Sequence, residues 1–337
     1  MIRKLLLPAA LPLALVLSSC DKKPEAAAKP AAEAKPAAPT PDFAEKKAAP
    51  AQTAAAPVME NPQFPDAVDI GSFGSDEPAE REDMPKRGII TFGPEDHDHM
   101  NGAHWETYTW TKFKAKRWGR YQVRLTYTLK RSSLGMQFRL GDLMVKKPLL
   151  AALSPRRMYL GTVYIAQPGD VPFSLLTPPS EGSGFTIHEV ALIPTGEGGE
   201  VRQAGDGSIT LNAGDATTWS ENMRYEPKPE KNCLGYWTEP DDFAEWEFEV
   251  TKPGRYKLVV FHGCGGGNHG SEVEVRHDGH ALKFTTQDTG GFQNWKDVSV
   301  GEIEIKAAGK QRLVIDPVNK VKSAVLDVQK VVLTPVG

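Results

Sequence analysis

From about Gly88 to the C-terminus, apolar residues recur at every second position or in short unbroken runs. "EWEFEV" (Glu245–Val250), "RYKLVVF" (Arg255–Phe261), "SEVEVRH" (Ser271–His277), "VGEIEIK" (Val300–Lys306), "RLVI" (Arg312–Ile315) and "VQKVVL" (Val328–Leu333) are of strand length. Turn pairs separate several of them, at Pro253-Gly254, Asp278-Gly279 and Ala308-Gly309. Outside the first twenty residues no long segment carries a helical period. Many short strands with regular turns predict an all-β chain built as a β-sandwich, most simply a jelly roll.

The pattern also repeats. "FKAKRWGRYQVRLTY" (Phe113–Tyr127) matches "FEVTKPGRYKLVVFH" (Phe248–His262), and "GTVYIAQPGDVPFSL" (Gly161–Leu175) matches "GEIEIKAAGKQRLVI" (Gly301–Ile315). The ends match as well, "FTIHEVALIP" (Phe185–Pro194) with "LDVQKVVLTP" (Leu326–Pro335). Three matches in the same order predict a tandem duplication, with a first sandwich at 85–196, a second at 200–337, and the Gly-rich "TGEGGE" (Thr195–Glu200) between them.

The N-terminal region has no such pattern. Arg3 and Lys4 precede the apolar run "LLLPAALPLALVL", which is too short to span a bilayer and suits a secretory signal over 1–19. Residues 20–84 begin as an Ala/Pro/Lys tract that cannot bury enough apolar surface to offset chain entropy, so they are predicted to be a disordered tether. "LSSC" (Leu17–Cys20) resembles the lipobox of bacterial lipoproteins. That resemblance implies cleavage before Cys20, lipidation of Cys20, and a bacterial cell-envelope location, outer-membrane or periplasm-facing, held to the membrane by the lipid anchor.

Lys+Arg number 40 and Asp+Glu 43, a formal net charge of −3, and no Lys/Arg stripe is evident along the chain, so a nucleic-acid partner is not expected. With Cys20 lipidated, Cys233 and Cys264 remain, an even number outside the cytoplasm, and a Cys233–Cys264 disulfide is the simpler use of both. The competing use is a reactive Cys264 beside His262 or His269 in "HGCGGGNHGSE". That stretch leads into strand rather than helix, and the chain has no G-x-S-x-G, so it is neither a P-loop nor an esterase oxyanion loop. Its counterpart in the first copy, "TLKRSSLGMQF" (Thr128–Phe138), lacks Cys and His, which makes the Gly-rich loop dispensable to the fold.

In the second copy, tight turns alternate with long loops, and the long loops are predicted to gather at one end of the sandwich. They carry Trp237, Phe292 and Trp295, whose rings suit the apolar faces of sugars, and Asn268, His269, Asn294, Asp316 and Asn319, which suit hydroxyls. Trp237, Phe292 and Trp295 also have a core reading, toward which Trp237 leans, and Trp246, alternating with Phe248 and Val250, reads as core. In the first copy, "PEDHDHMNGAHWE" offers His97 and His99 as metal ligands, or else it is a solvated acidic loop.

The ordered set "LGYWTEPDDFAEWEFEVTKPGRYKLVV … GSEVEV … TGGFQNWKDVSVGEIEIKAAGKQRLVI … AVLDVQKVVLTP" resembles the galactose-binding-like jelly roll. More narrowly, it is similar to the carbohydrate-binding modules and accessory C-terminal domains of bacterial sulfatases and α-fucosidases. The resemblance implies a non-catalytic lipoprotein that binds a glycan or polysaccharide. Alternatives are a structural or protein-interaction role with an envelope protein partner and, further off, a hydrolase-associated catalytic domain using Cys264 or a His/Asp cluster. Related modules hold a structural calcium through acids in the first and last strands. Asp327 matches the last-strand position, but "SITLNA" lacks the acidic pair, which argues against calcium, and no other cofactor is expected.

Overall fold

The computed structural model describes residue 81 and residues 83–337. The predicted signal, Cys20 and the predicted tether up to residue 80, with residue 82, lie outside the described residues. The chain is all-β, with β-sandwich jelly-roll architecture. Its only helical element among the described residues is a 3-10 turn, Ala213–Asp215.

The first half contributes β1 (Ile90–Phe92), β2 (Asp98–Asn101), β3 (Glu106–Trp110), β4 (Lys114–Ala115), β5 (Gly119–Leu140), β6 (Leu143–Ile165), β7 (Gly169–Asp170), β8 (Phe173–Thr177) and β9 (Thr186–Thr195). They order as β1-β9-β5-β8-β3-β2, with β6 on the free side of β5. One strand serves two layers. Residues Arg120–Thr128 of β5 pair with β9, Gln137–Leu140 pair with β8, and β6 follows β5 along its length. The ladder shifts register between Leu129 and Ser133, so Lys130–Ser132 form a bulge that bends the hairpin. Tyr121, Val123, Leu125 and Tyr127 before the bend, and Leu134, Met136, Phe138 and Leu140 after it, all enter one core. The counterpart of the Gly-rich loop is therefore strand: its buried apolar residues alternate on each side of the bulge, and the bulge shifts their phase by one, from odd positions up to Leu129 to even positions from Leu134.

The second half contributes β10 (Val201–Arg202), β11 (Ile209–Asn212), β12 (Thr217–Trp219), β13 (Arg224–Glu226), β14 (Cys233–Gly235), β15 (Phe243–Val250), β16 (Gly254–Cys264), β17 (Glu272–His277), β18 (His280–Thr285), β19 (Gly291–Ile305), β20 (Gly309–Pro317) and β21 (Asp327–Pro335). One sheet orders as β10-β15-β20-β17-β18 with β12 on β15, and the other as β13-β14-β21-β16-β19 with β11 on β21. Trp246, Phe248, Val275, Leu313 and Ile315 of the first meet Leu211, Tyr256, Leu258, Val331 and Leu333 of the second in a separate core.

Register relations recur between the halves. Tyr121 faces Val163 and Pro194, and Tyr256 faces Ile303 and Pro335. Val123 faces Gly161 and Leu258 faces Gly301, and a register shift follows each pair at once. Gly161 (φ +129°) and Gly301 (φ +147°) hold backbone angles that a side chain disfavours, which is why each bulge falls at a glycine. The halves meet through Arg117, which donates to the Thr218 hydroxyl (2.6 Å) and carbonyl (3.2 Å) and to the Met223 carbonyl. A small apolar cluster of Ala191, Ile193 and Trp219 with Phe243 adds to the seam.

Candidate functional site

A cleft of about 640 Å³ runs along that seam, with Trp219 and Glu245 in its wall. Two of its side chains are already engaged or buried. Glu245 is paired by Arg81 and Arg312, and Trp219 is 4% exposed.

The predicted sugar-binding residues divide: the Gly-rich loop with Asn268 and His269 packs against the Gly291–Trp295 stretch that carries Phe292, Asn294 and Trp295, whereas Trp237 lies in the core and Asp316 on the other sheet. Trp237 is 1% exposed, packs in the core and donates its indole N–H to the Asp242 carbonyl (3.0 Å), which corrects its reading as a stacking surface. Asn268 is buried as a strut: its amide donates to the Gly265 carbonyl, and its Oδ1 accepts from the Ser323 hydroxyl and the Ala324 N–H. Asp316 lies on the other sheet and accepts from Arg276 (2.7 Å), and the Asn319 Oδ1 accepts from the Glu272 N–H (3.0 Å). His269 is half-exposed with Nδ1 3.8 Å from Asp288. Phe292 and Trp295 are half-buried and Asn294 is exposed, all on β19.

The disulfide expectation is also corrected: Cys233 and Cys264 are free, buried thiols. They sit on β14 and β16, with β21 between them. Two strand spacings of about 4.8 Å exceed the Cα separation a disulfide spans. The Cys233 thiol donates to Asp327 Oδ2 (3.7 Å), and the Cys264 thiol to the Val325 carbonyl (3.8 Å). Burial pushes the Cys264 thiol up to about 11, with the charges of Asp288 and Asp327 adding to it, and burial pushes Cys233 up too. Neither is a thiolate at neutral pH, which removes the basis for a cysteine nucleophile.

His97 and His99 serve as packing. His99 stacks on Tyr108 (centroids 4.4 Å, 4°) with Nε2 3.7 Å from Glu106, and His97 meets Tyr108 and Trp110 edge-on. Among the described residues, the ligand-type side chains that lie together are Glu226, Cys233 and Asp327, their donor atoms within 4.8 Å of one another.

That trio forms the heart of a different site. Leu234 and Val328 point into the core, so their neighbours Cys233, Gly235 and Asp327 take the opposite face of the sheet, and Glu226 pairs with Cys233 on that face. Both carboxylates converge over Gly235: a Cβ there would lie 2.3 Å from Glu226 Oε1 and 3.5 Å from Asp327 Oδ1. Gln293 donates to Asp327 (3.2 Å), and Lys231 donates to Glu226. Burial first, and then the charge of Glu226, push Asp327 up to about 7. On β16, Gly263 pairs with Asp327 and lies under the Trp295 ring. Calcium does not fit here. It takes oxygen ligands, whereas this set includes a thiol, and Lys231 already neutralises one carboxylate.

Tyr236 borders the trio. It is 44% exposed and holds φ +60°, a strained value for a bulky side chain. The Arg224 guanidinium lies 3.5 Å over its ring and 4.0 Å over that of Trp118, and the Lys231 ammonium is 5.9 Å from the Tyr236 centroid. An exposed aromatic, an ammonium, two carboxylates and a primary amide thus share one face. Apart from Trp295, sequence reasoning missed this group as a binding site. The available signals were Gly235 inside a strand, which marks a close approach, and the acid already noted at Asp327.

Residues 215–336 match a family described as a domain of unknown function (DUF5077). No curated protein matches. Among solved structures, the chain is similar to the C-terminal family 6 carbohydrate-binding module of a marine laminarinase from Zobellia galactanivorans (16% identity, TM-score 0.31, covering 38% of this chain and 98% of that one). It is similar also to a family 35 carbohydrate-binding module from Clostridium thermocellum (14% identity, TM-score 0.31, 38% and 98%). A third likeness is to a β-(1,4)-mannanase of Podospora anserina that includes a family 35 module (17% identity, TM-score 0.30, 39% of this chain and only 28% of that one).

Proposed function

We propose that this chain is a non-catalytic carbohydrate-binding lipoprotein of the bacterial cell envelope, made of two duplicated sandwiches on a lipid-anchored tether. It grips a glycan on the outer face around Tyr236. The observation that carries this reading is the convergence of half-exposed Tyr236 with Lys231, Glu226, Asp327 and Gln293. An aromatic plane suits the CH face of a sugar ring, while carboxylate, amide and ammonium groups suit its hydroxyls. The burial of the two acids supports binding over cleavage. Glu226 and Asp327 are each 6% exposed and already engaged, Glu226 by Lys231 and Asp327 by Cys233 and Gln293.

The test is a glycan array probed with the full chain, followed by titration calorimetry on any hit. Tyr236→Ala and Gln293→Ala are each expected to weaken binding about tenfold or more, and the sugar should be recovered intact. Retention of a protein partner from envelope extracts, with no glycan bound, would replace this reading by the protein-interaction one.

A further inference from the structure

The β5–β6 hairpin has a charge unlike the rest of the chain. Residues 128–157 contain seven Lys or Arg and one acid, Asp142, in a chain whose net charge is −3. The cations are spread over two strands, and the hairpin register brings them side by side. Lys130 and Arg131 occupy the bulge, and the facing strand supplies Leu150, Ala152 and, four residues on, Arg156 opposite Tyr127. Nearer the turn, Lys146 faces Gln137, Lys147 faces Met136, and Arg139 faces Met144. Among the described residues none of these six cations makes an ion pair, and all but half-buried Arg156 are exposed.

Two apolar side chains stand among them. Leu153, beside the bulge, is 85% exposed, and Met144 is 57% exposed. β6 is an edge strand, bonded to β5 alone. Edge strands commonly carry Lys, Arg and Pro to block pairing, and Pro148 and Pro155 fit that use. Edge protection explains charge, but it leaves no reason for a bare leucine in the middle of it.

We propose that this hairpin docks on an anionic lipid bilayer, with Lys130, Arg131 and Arg156 meeting headgroup phosphates and Leu153 entering the interface. Charge complementarity selects an anionic partner. The exposed Leu153 selects a bilayer over a soluble polyanion, because only a bilayer offers apolar depth behind its charged surface. The site is distinct from the face around Tyr236, so the two readings stand or fall separately.

The test is co-sedimentation of the full chain with vesicles of phosphatidylcholine alone, or with about one-third phosphatidylglycerol. The neutral vesicles set the baseline for any contribution from the apolar N-terminal run. Expected is binding to the anionic vesicles at least about tenfold tighter than to neutral ones, lost at ~0.5 M salt. The triple variant Lys130→Glu, Arg131→Glu, Arg156→Glu should fall to the neutral baseline. Leu153→Ser should weaken vesicle binding several-fold, by roughly one buried side chain's worth, and leave retention on heparin unchanged. All four positions are solvent-facing or half-buried, so unchanged melting of the variants separates lost docking from lost fold. Equal binding to neutral and anionic vesicles would overturn the proposal. So would vesicle binding indifferent to Leu153→Ser, which would make the hairpin a general polyanion site.

Discussion

Replacing Asp327 by Asn separates the cost of a buried acid from its use. Asp327 is 6% exposed, and its donor atom lies within 4.8 Å of those of Glu226 and Cys233. Burial, then the Glu226 charge, raise it from 3.8 to about 7, against the opposing pull of the Cys233 thiol, Lys231 and Gln293. An acid raised on folding contributes stability that is fully present below its unfolded pKa, near 4, and is lost as pH rises through about 7. Three pH units at about 1.4 kcal/mol each set a ceiling of ~4 kcal/mol on that loss, and relaxation around the charge brings the expected figure to roughly 2–4 kcal/mol. Asn keeps an acceptor for Gln293 and the Cys233 thiol and offers Glu226 an N–H that the ionised acid lacks. Urea unfolding from about pH 4.5 to about pH 8.5 should therefore show the two proteins nearly equal at the acid end. At the alkaline end Asp327→Asn should be the more stable by that amount. A variant that is less stable at the alkaline end, or a wild type with the same slope as the variant, would mean that Asp327 is charged and well paired at neutral pH, and the account of the site would fail.

Arg117→Ala removes a buried guanidinium and leaves the Thr218 and Met223 carbonyls without their donor, an expected loss of about 2–4 kcal/mol at the seam. Calorimetry should then resolve two transitions, one for each core, and proteases should gain access at Gly196–Gly199; a single unshifted transition would show that the seam is held by something else. Because Cys233 and Cys264 are fully buried free thiols, neither should react with a thiol reagent in the native chain, and both should react at once in denaturant without reductant. Failure to label them after unfolding would restore the disulfide.

The period-two pattern revealed the strands because both cores are built from alternate residues, and the three sequence matches correspond to register pairs that recur strand for strand. What it hid follows from features with no compositional signature. The bend in β5 comes from Lys130–Ser132, which contain neither Gly nor Pro, so nothing in the composition marks a bulge there. The acids of the site, Glu226 and Asp327, are a hundred residues apart, and only the order β13-β14-β21 brings them over Gly235.

The misplaced aromatic has a local cause. Leu234 points inward and Gly235 outward, so strict alternation would bury Tyr236 and expose Trp237. A left-handed residue breaks that alternation, and Tyr236 is one, at φ +60°. The chain turns over at that residue, so Trp237 enters the core to bond Asp242, and Tyr236 is left on the outer face against Arg224. The strain at Tyr236 is held in place by the Trp118–Arg224–Tyr236 stack, one member of which comes from the first half of the chain. The geometry of the proposed glycan face therefore depends on the seam that Arg117 closes. Arg117→Ala should weaken glycan binding along with the seam, although Arg117 touches none of the residues proposed to hold the sugar.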